Sequence, residues 1–420
     1  MNKERTSNLA SILIALSFVA IGLIGYLGFL FFRHNILPLK YRWIIIGVLA
    51  FLALLLLIWG LSHAGSVSKV LGIFLCSLLL FFLELTILYA QSGVRALDRI
   101  QSADENRNND NPKAAFRQDN AYPAKEVSVA EKSFVVYISG IDTFGKLETV
   151  SRSDVNIIAV INPKTRHIRM VSVPRDSYLP IAGEGLWEND KLTHAGMYGI
   201  GTSIETLEKA LGISVNYFAR LNFTSFMNVI DAVGGVSVHN PESFTSIDGQ
   251  YYPEGEIELS AETALMYVRE RYNLTEGDFG RQKNQERVIE AVFRKILSPQ
   301  LVLRFQGIMA TLSDSIQTNM PANSIMEFVN QQIDEPGDWV FDSVFLTGDG
   351  AMGLPSFAMP DSELWFFVID ENSLADVKQA LQDTLNGVER QTPAAQPTVR
   401  EDADAYQETE LYDDTEGWDE

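Results

Sequence analysis

Residues 133–176, SFVVYISGIDTFGKLETVSRSDVNIIAVINPKTRHIRMVSVPRD, decide the fold. Ser133 to Asp142 is a short apolar run of the buried-strand kind, closed by Gly140 and Asp142. Val155 to Val173 holds two more such runs, separated by Asn162-Pro163-Lys164-Thr165, residue types that reverse a chain. If the first two strands are neighbours, Asp142 and Asp154 meet at one edge of the sheet. The third strand ends in Pro174-Arg175-Asp176.

Working outward, helical and strand patterns alternate. GTSIETLEKALG (201–212) has a Ser/Thr start, an apolar face of Ile204, Leu207 and Leu211, and Gly212 as a stop. FTSFMNVIDAVGGVSV (223–238) reads as a helix, a glycine pair and a strand. A further helix starts at Ser260. Another begins at Gly280, with Val288, Ile289, Val292 and Ile296 inward. DWVFDSVFLTG (338–348) and ELWFFVIDENSLADVKQALQDTL (363–385) add strands and a closing helix. The expectation is an α/β domain over 131–388, a mixed sheet between helices.

Residues 267–287, YVRERYNLTEGDFGRQKNQER, gather Arg269, Arg271, Arg281 and Arg287 in a chain of net charge −21. Arg269 and Arg271, two apart, share a face if the chain is extended there. Arg281 and Gln285 share a helix face, with Arg281 expected in the first turn, where free N–H groups favour an anion. Guanidinium forks match phosphate oxygens, whereas Arg287 and Lys283 are expected to face solvent. Asp142 and Asp154, with no Cys or His cluster, suit Mg²⁺ or Mn²⁺. Capping acids and salt bridges to Glu270, Glu276 and Asp278 explain the same residues, and spacing alone does not choose. Lys191 and His194 in KLTHAG stand in reach of a phosphate or serve the framework equally well.

Three apolar runs, 9–32, 43–61 and 70–90, are expected to span a membrane as an anchor over 1–91, with Glu84 the one acid inside them. Residues 92–130 read as a polar linker. Residues 389–420 read as a disordered acidic tail, with ten acids and one Arg in 391–420. Residues 1–92 hold six of the 33 Lys/Arg and two of the 54 Asp/Glu, leaving 27 against 52 for the rest. So acidic a remainder excludes nucleic acid as a partner. The lone Cys76 excludes an internal disulfide framework. No P-loop, G-x-S-x-G or G-x-G-x-x-G is present, which removes support for NTPase, triad hydrolase and dinucleotide readings.

Seven blocks in order, YISGIDTFG, SRSDVNIIAVINPKT, VSVPRDSYLPI, KLTHAG, DAVGGV, ALMYVRER and DFGRQKNQ, resemble the LytR–CpsA–Psr family over about 134–388. The three-span amino terminus is similar to that of members from Gram-positive bacteria. The resemblance implies a multi-pass cell-membrane enzyme with its catalytic domain outside the cell. Such an enzyme moves an anionic glycopolymer (wall teichoic acid or capsular polysaccharide), with its phosphate, from undecaprenyl pyrophosphate to a peptidoglycan sugar hydroxyl. It implies a groove for the polyprenyl chain and Mg²⁺ on Asp142 and Asp154. Arg152, Arg175, Arg269, Arg271 and Arg281 would hold the pyrophosphate, with Gln285 in support. Many members have Arg where Phe144 and Asn284 stand, so Lys283 or Lys191 could replace a phosphate contact. Asp176 and Asp154 both qualify as proton acceptor in catalysis with Arg152 and Arg271. Hydrolysis of the same lipid, or a sensor that binds it without chemistry, are the competing functions.

Overall fold

The computed structural model describes residues 2–34, 37–62, 65–107, 122–147, 151–298 and 316–388. The chain forms two compact units. The first contains helices α1 (Asn2–Arg33), α2 (Leu39–Leu61) and most of α3 (Ser66–Arg107). Thr6–Arg33, Leu39–Leu61 and Ser66–Ser92 are long and apolar enough to cross a membrane. They pack on one another through Ala20, Ile24 and Leu27 of α1, Ala53 of α2, and Leu83 and Ile87 of α3. Glu84 is exposed on this bundle. Buried Lys69 donates to the carbonyls of Trp59, Gly60 and Ser62 at 2.6, 2.5 and 2.9 Å. A cation thereby meets the negative end of α2. Helix α3 runs past Ser92 to Arg107, into the stretch expected as a linker. The acidic tail lies outside the described residues.

The second unit is built on a six-stranded sheet. Its strands β1 (Phe134–Ile141), β2 (Val155–Asn162) and β3 (His167–Ser172) form an antiparallel meander. A small hairpin, β4 (Tyr178–Pro180) with β5 (Asn189–Lys191), leads to short α4 (Leu192–Ala195) and to α5 (Ile200–Leu211). Then come β6 (Tyr217–Asn222) and α6 (Phe223–Ala232). Two small antiparallel pairs follow: β7 (Val236–Asn240) with β10 (Gly255–Leu259), and between them β8 (Phe244–Thr245) with β9 (Tyr251–Tyr252). Helices α7 (Ala261–Arg269) and α8 (Gly277–Ile296) precede β11 (Gln317–Thr318). Helix α9 (Ala322–Asp334) belongs to the first unit, where Asp334 pairs with Lys40 at 2.7 Å. The chain closes with β12 (Val340–Phe345), β13 (Gly348–Met352), β14 (Trp365–Ile369) and α10 (Glu371–Leu385).

Strand order is β11-β6-β1-β2-β3-β12, with β6 parallel to β1 and β12 parallel to β3. One face carries α5 and α10. Ile204, Leu207 and Leu211 of α5 and Val377 and Leu381 of α10 pack on Val135, Ile158, Val160 and Val171. Each such side chain contributes about 1.5–3 kcal/mol by leaving water. The other face differs. A second apolar cluster joins α6, α7 and α8 to β7 and β10, yet takes no residue from the central sheet. Two cores that close separately leave room between them.

Candidate functional site

That room is a cavity of about 310 Å³. Its floor is the sheet, with Ile138 on β1 and Leu221 on β6. Its roof is Phe226 on α6, Leu265 on α7 and Ile289 on α8. Polar groups gather where the strands end.

The antiparallel register pairs Gly140 with Val155, so the residues just beyond each strand face one another. Asp154 N–H donates to Gly140 O at 2.8 Å, and Asp142 N–H donates to Asp154 Oδ2 at 3.2 Å. Gly140 is required there, since a Cβ would lie 2.8 Å from Val155 Cβ. Strand β3 returns the chain to the same end, and Arg175 Nη1 donates to Asp154 Oδ1 at 3.1 Å. The meeting of Asp142 with Asp154, expected from the strand pattern, is what the register produces.

Helix α7 starts where the sequence places it. Ser260 Oγ accepts from Thr263 N–H while Thr263 Oγ1 accepts from Ser260 N–H, a reciprocal cap. Arg269 is the last helical residue rather than part of an extended run, and Arg271 follows across buried Glu270. Glu270 turns inward to accept from Ile247 N–H at 2.6 Å and Asn273 N–H at 3.0 Å. This fixes the bend that sends both arginines to the cavity. The Arg269 guanidinium lies 4.7 Å from the Phe223 ring centre, and that of Arg271 lies 4.4 Å from the Tyr272 ring centre.

Helix α8 begins at Gly277, three residues before the expected Gly280, and Gly277 itself has a left-handed φ of 53° that turns the chain into the helix. Arg281 therefore sits in the second turn, beyond the free N–H groups, and meets Asp278 at 2.5 Å. Arg281, Gln285 and Ile289 still share one face and all line the cavity. Gln285 Nε2 donates to Val268 O at 3.3 Å, tying α8 to α7.

Charge at this mouth is crowded. The protein around Asp142 strips its hydration and Asp154 adds negative charge, which together push its carboxyl up to about 6 against the pull of Arg281, Arg175 and Arg269. Burial also opposes ionisation of Asp278, but Arg281, Gln282, Arg175 and Arg271 outweigh it and hold that carboxyl below its ordinary range. A cation beside Asp142 and Asp154 would relieve the first strain. Asp142 and Asp154 offer two adjacent hard oxygen ligands of the kind Mg²⁺ or Mn²⁺ takes alongside water and phosphate oxygens, and among the described residues no third His, Cys, Asp or Glu joins them.

The cavity thus brings together Asp142, Asp154, Arg175, Arg269, Arg271, Arg281 and Gln285. Arg152, Asp176 and Lys191 do not line it. The β4–β5 hairpin sets Lys191 beside Asp176 at 2.7 Å, so these two neutralise each other. His194 is buried against Asp190 at 2.8 Å, a framework contact. Lys283 does not face solvent, being paired with Glu276 at 2.6 Å and seated 5.5 Å from the Phe345 ring. Arg287 is also held inward, donating to Asn284 Oδ1 at 2.6 Å. Tyr272 lines the cavity, and Asp278 stands behind it as the ion-pair partner of Arg281. Asp278 had a signal in its i,i+3 spacing to Arg281, whereas nothing in the sequence marked Tyr272.

The family model LytR_cpsA_psr matches residues 96–382, and the chain belongs to the LytR–CpsA–Psr family. It is 33% identical over 259 residues to the polyisoprenyl-teichoic acid–peptidoglycan teichoic acid transferase TagU of Enterococcus faecalis, spanning 61% of this chain and 81% of that relative. The crystal structure of Bacillus subtilis TagV is similar at a TM-score of 0.52 and 27% identity, covering 61% of this chain and 98% of that one. Protein gbs0355 of Streptococcus agalactiae is similar at a TM-score of 0.54 and 25% identity, covering 68% and 99%.

Proposed function

We propose that this enzyme, a glycopolymer–peptidoglycan transferase, takes an anionic glycopolymer such as teichoic acid, with its phosphate, from an undecaprenyl-pyrophosphate carrier to a peptidoglycan sugar hydroxyl. One observation carries the reading: Arg175, Arg269, Arg271 and Arg281 converge with Asp142 and Asp154 at the mouth of a cavity whose depth is apolar. The depth suits an isoprenoid, and the mouth suits two linked phosphates. The apolar helices of the first unit suit a multi-pass anchor that keeps the catalytic domain at the outer membrane surface, where a lipid-linked donor arrives.

In this reading the acceptor hydroxyl oxygen forms a bond to the phosphorus that carries the glycan. The bridging P–O bond breaks, and its electron pair leaves with polyprenyl phosphate. Arg269, Arg271 and Arg281 orient the two phosphates and stabilise the leaving group's charge. Asp142 and Asp154 are the residues that would hold Mg²⁺ or Mn²⁺, which supplies further positive charge to the phosphate oxygens when bound. Of the two candidates to take the hydroxyl proton, Asp154 lines the cavity, whereas Asp176 is ion-paired with Lys191 and Arg175 and does not.

The test is coupling. Full-length protein in detergent, given Mg²⁺, a glycosylated polyprenyl pyrophosphate and peptidoglycan oligomers, should yield glycan joined to peptidoglycan through phosphate. Release of glycan phosphate without coupling would establish hydrolysis instead. Tight lipid binding with no turnover at all would favour the sensor.

A further inference from the structure

The segment after Asp142 holds an aromatic side chain in the open. Phe144 is 60% exposed. An exposed phenylalanine on a mobile loop carries no message, but this one is tethered. Thr143 O accepts from Phe223 N–H at 3.0 Å, Gly145 N–H donates to Thr224 Oγ1 at 2.9 Å, and Asn222 Nδ2 donates to Gly145 O at 3.1 Å. Gly145, with φ of 88°, supplies the turn that closes the segment. All three bonds run to the start of α6, so the Phe144 ring is fixed 5.0 Å from that of Phe223. Phe223 in turn lies under the Arg269 guanidinium, 4.7 Å from its ring centre. One phosphate-seeking cation and two aromatic rings therefore form a continuous row from the cavity lining to solvent.

We infer that Phe144 is the floor of a sugar subsite: the first pyranose attached to the donor pyrophosphate stacks its C–H face on this ring. This rests on the lipid-pyrophosphate reading of the cavity. The isoprenoid is assigned to the apolar part of the cavity, so an apolar ring at the wet rim is left for a ligand with one apolar face and a polar edge. A sugar linked to a phosphate held at Arg269 leaves the cavity over Phe223 and meets Phe144 next. The tethered segment means that little ordering cost falls on binding.

The experiment compares the full chain with Phe144→Ala and Phe144→Trp in detergent, using three probes. These are polyprenyl pyrophosphate bearing an N-acetylhexosamine, the same lipid without sugar, and a peptidoglycan glycan oligomer. Phe144→Ala is expected to weaken the glycosylated lipid roughly three- to tenfold, as loss of a ring stack does, with the bare lipid unchanged and Trp restoring affinity. Unaltered melting of both variants confirms that the fold is not the cause. Equal weakening of both lipids, or no weakening, overturns the subsite. Loss confined to the glycan oligomer assigns the ring to the acceptor and overturns the donor assignment. If the parent chain binds neither lipid, the underlying reading falls, and this inference with it.

Discussion

Glu286 lies on α8 between the cavity-facing Arg281 and Ile289 but points the other way, and it is 3% exposed. Among the described residues, its buried Oε1 has no hydrogen-bond partner. Burial pushes its carboxyl up to about 7 from 4.5, against weaker opposition from Ser343, the Ser172 backbone, Arg287 and Lys283. Between pH 4.5 and about 7 the unfolded chain has released this proton while the folded chain keeps it. Stability therefore falls as pH rises through that window, and the loss is complete above it. At about 1.4 kcal/mol per pH unit, the interval amounts to about 3 kcal/mol. Glu286→Gln keeps the shape and removes the ionisation. The variant should match the parent near pH 4.5 and exceed it by about 3 kcal/mol at pH 8. The assay is denaturant unfolding in detergent at pH 4.5, 6 and 8, followed by fluorescence. Parallel stability curves across this range, or a Gln variant less stable at pH 8, would refute the argument that an ionised Glu286 is forced against the sheet.

Arg271→Ala should lower kcat/KM for the glycosylated lipid by about 100-fold, and Arg271→Lys should recover only part, because a point charge cannot reproduce the fork. Steady-state coupling rates check this. Chelation should abolish coupling, with recovery on adding Mg²⁺ or Mn²⁺; calorimetry of Asp154→Asn should show weakened cation binding. Gly140→Ala should cost about 1–3 kcal/mol, read by melting, because its Cβ meets Val155 in the β1–β2 pair. Asp342, held down to about 2 by Arg169 and His167 in spite of burial, should lend stability that is present above pH 3.8 and lost as pH falls toward 2. An acid-unfolding series that is unchanged by Arg169→Met would contradict this.

The parts of the site that were legible in the sequence are those fixed by local geometry. An antiparallel hairpin has to return Asp154 to the end of β1 that carries Asp142, and the Ser260 cap has to start α7, although the end of that helix at Arg269 departs from the extended run expected there. What was not legible depends on groups that have no period. The direction of Arg271 is set by Glu270, an acid whose burial is offset by the backbone N–H groups of Ile247 and Asn273 and by the Asn273 side-chain amide. The position of Arg281 is set by one glycine with positive φ. Lys283, which a charge pattern turns to solvent, is drawn inward by Glu276 and the Phe345 ring. The cavity itself leaves no mark, since Ile138 and Leu221 that line it are the same kind of residue as Ile158 and Val160 that fill the core. Only the separation of two closed apolar clusters reveals it. The same separation explains the charge. A chain of net charge −21 repels a polyanion at long range, so an anionic donor is held by the local cluster of four guanidiniums that line the cavity.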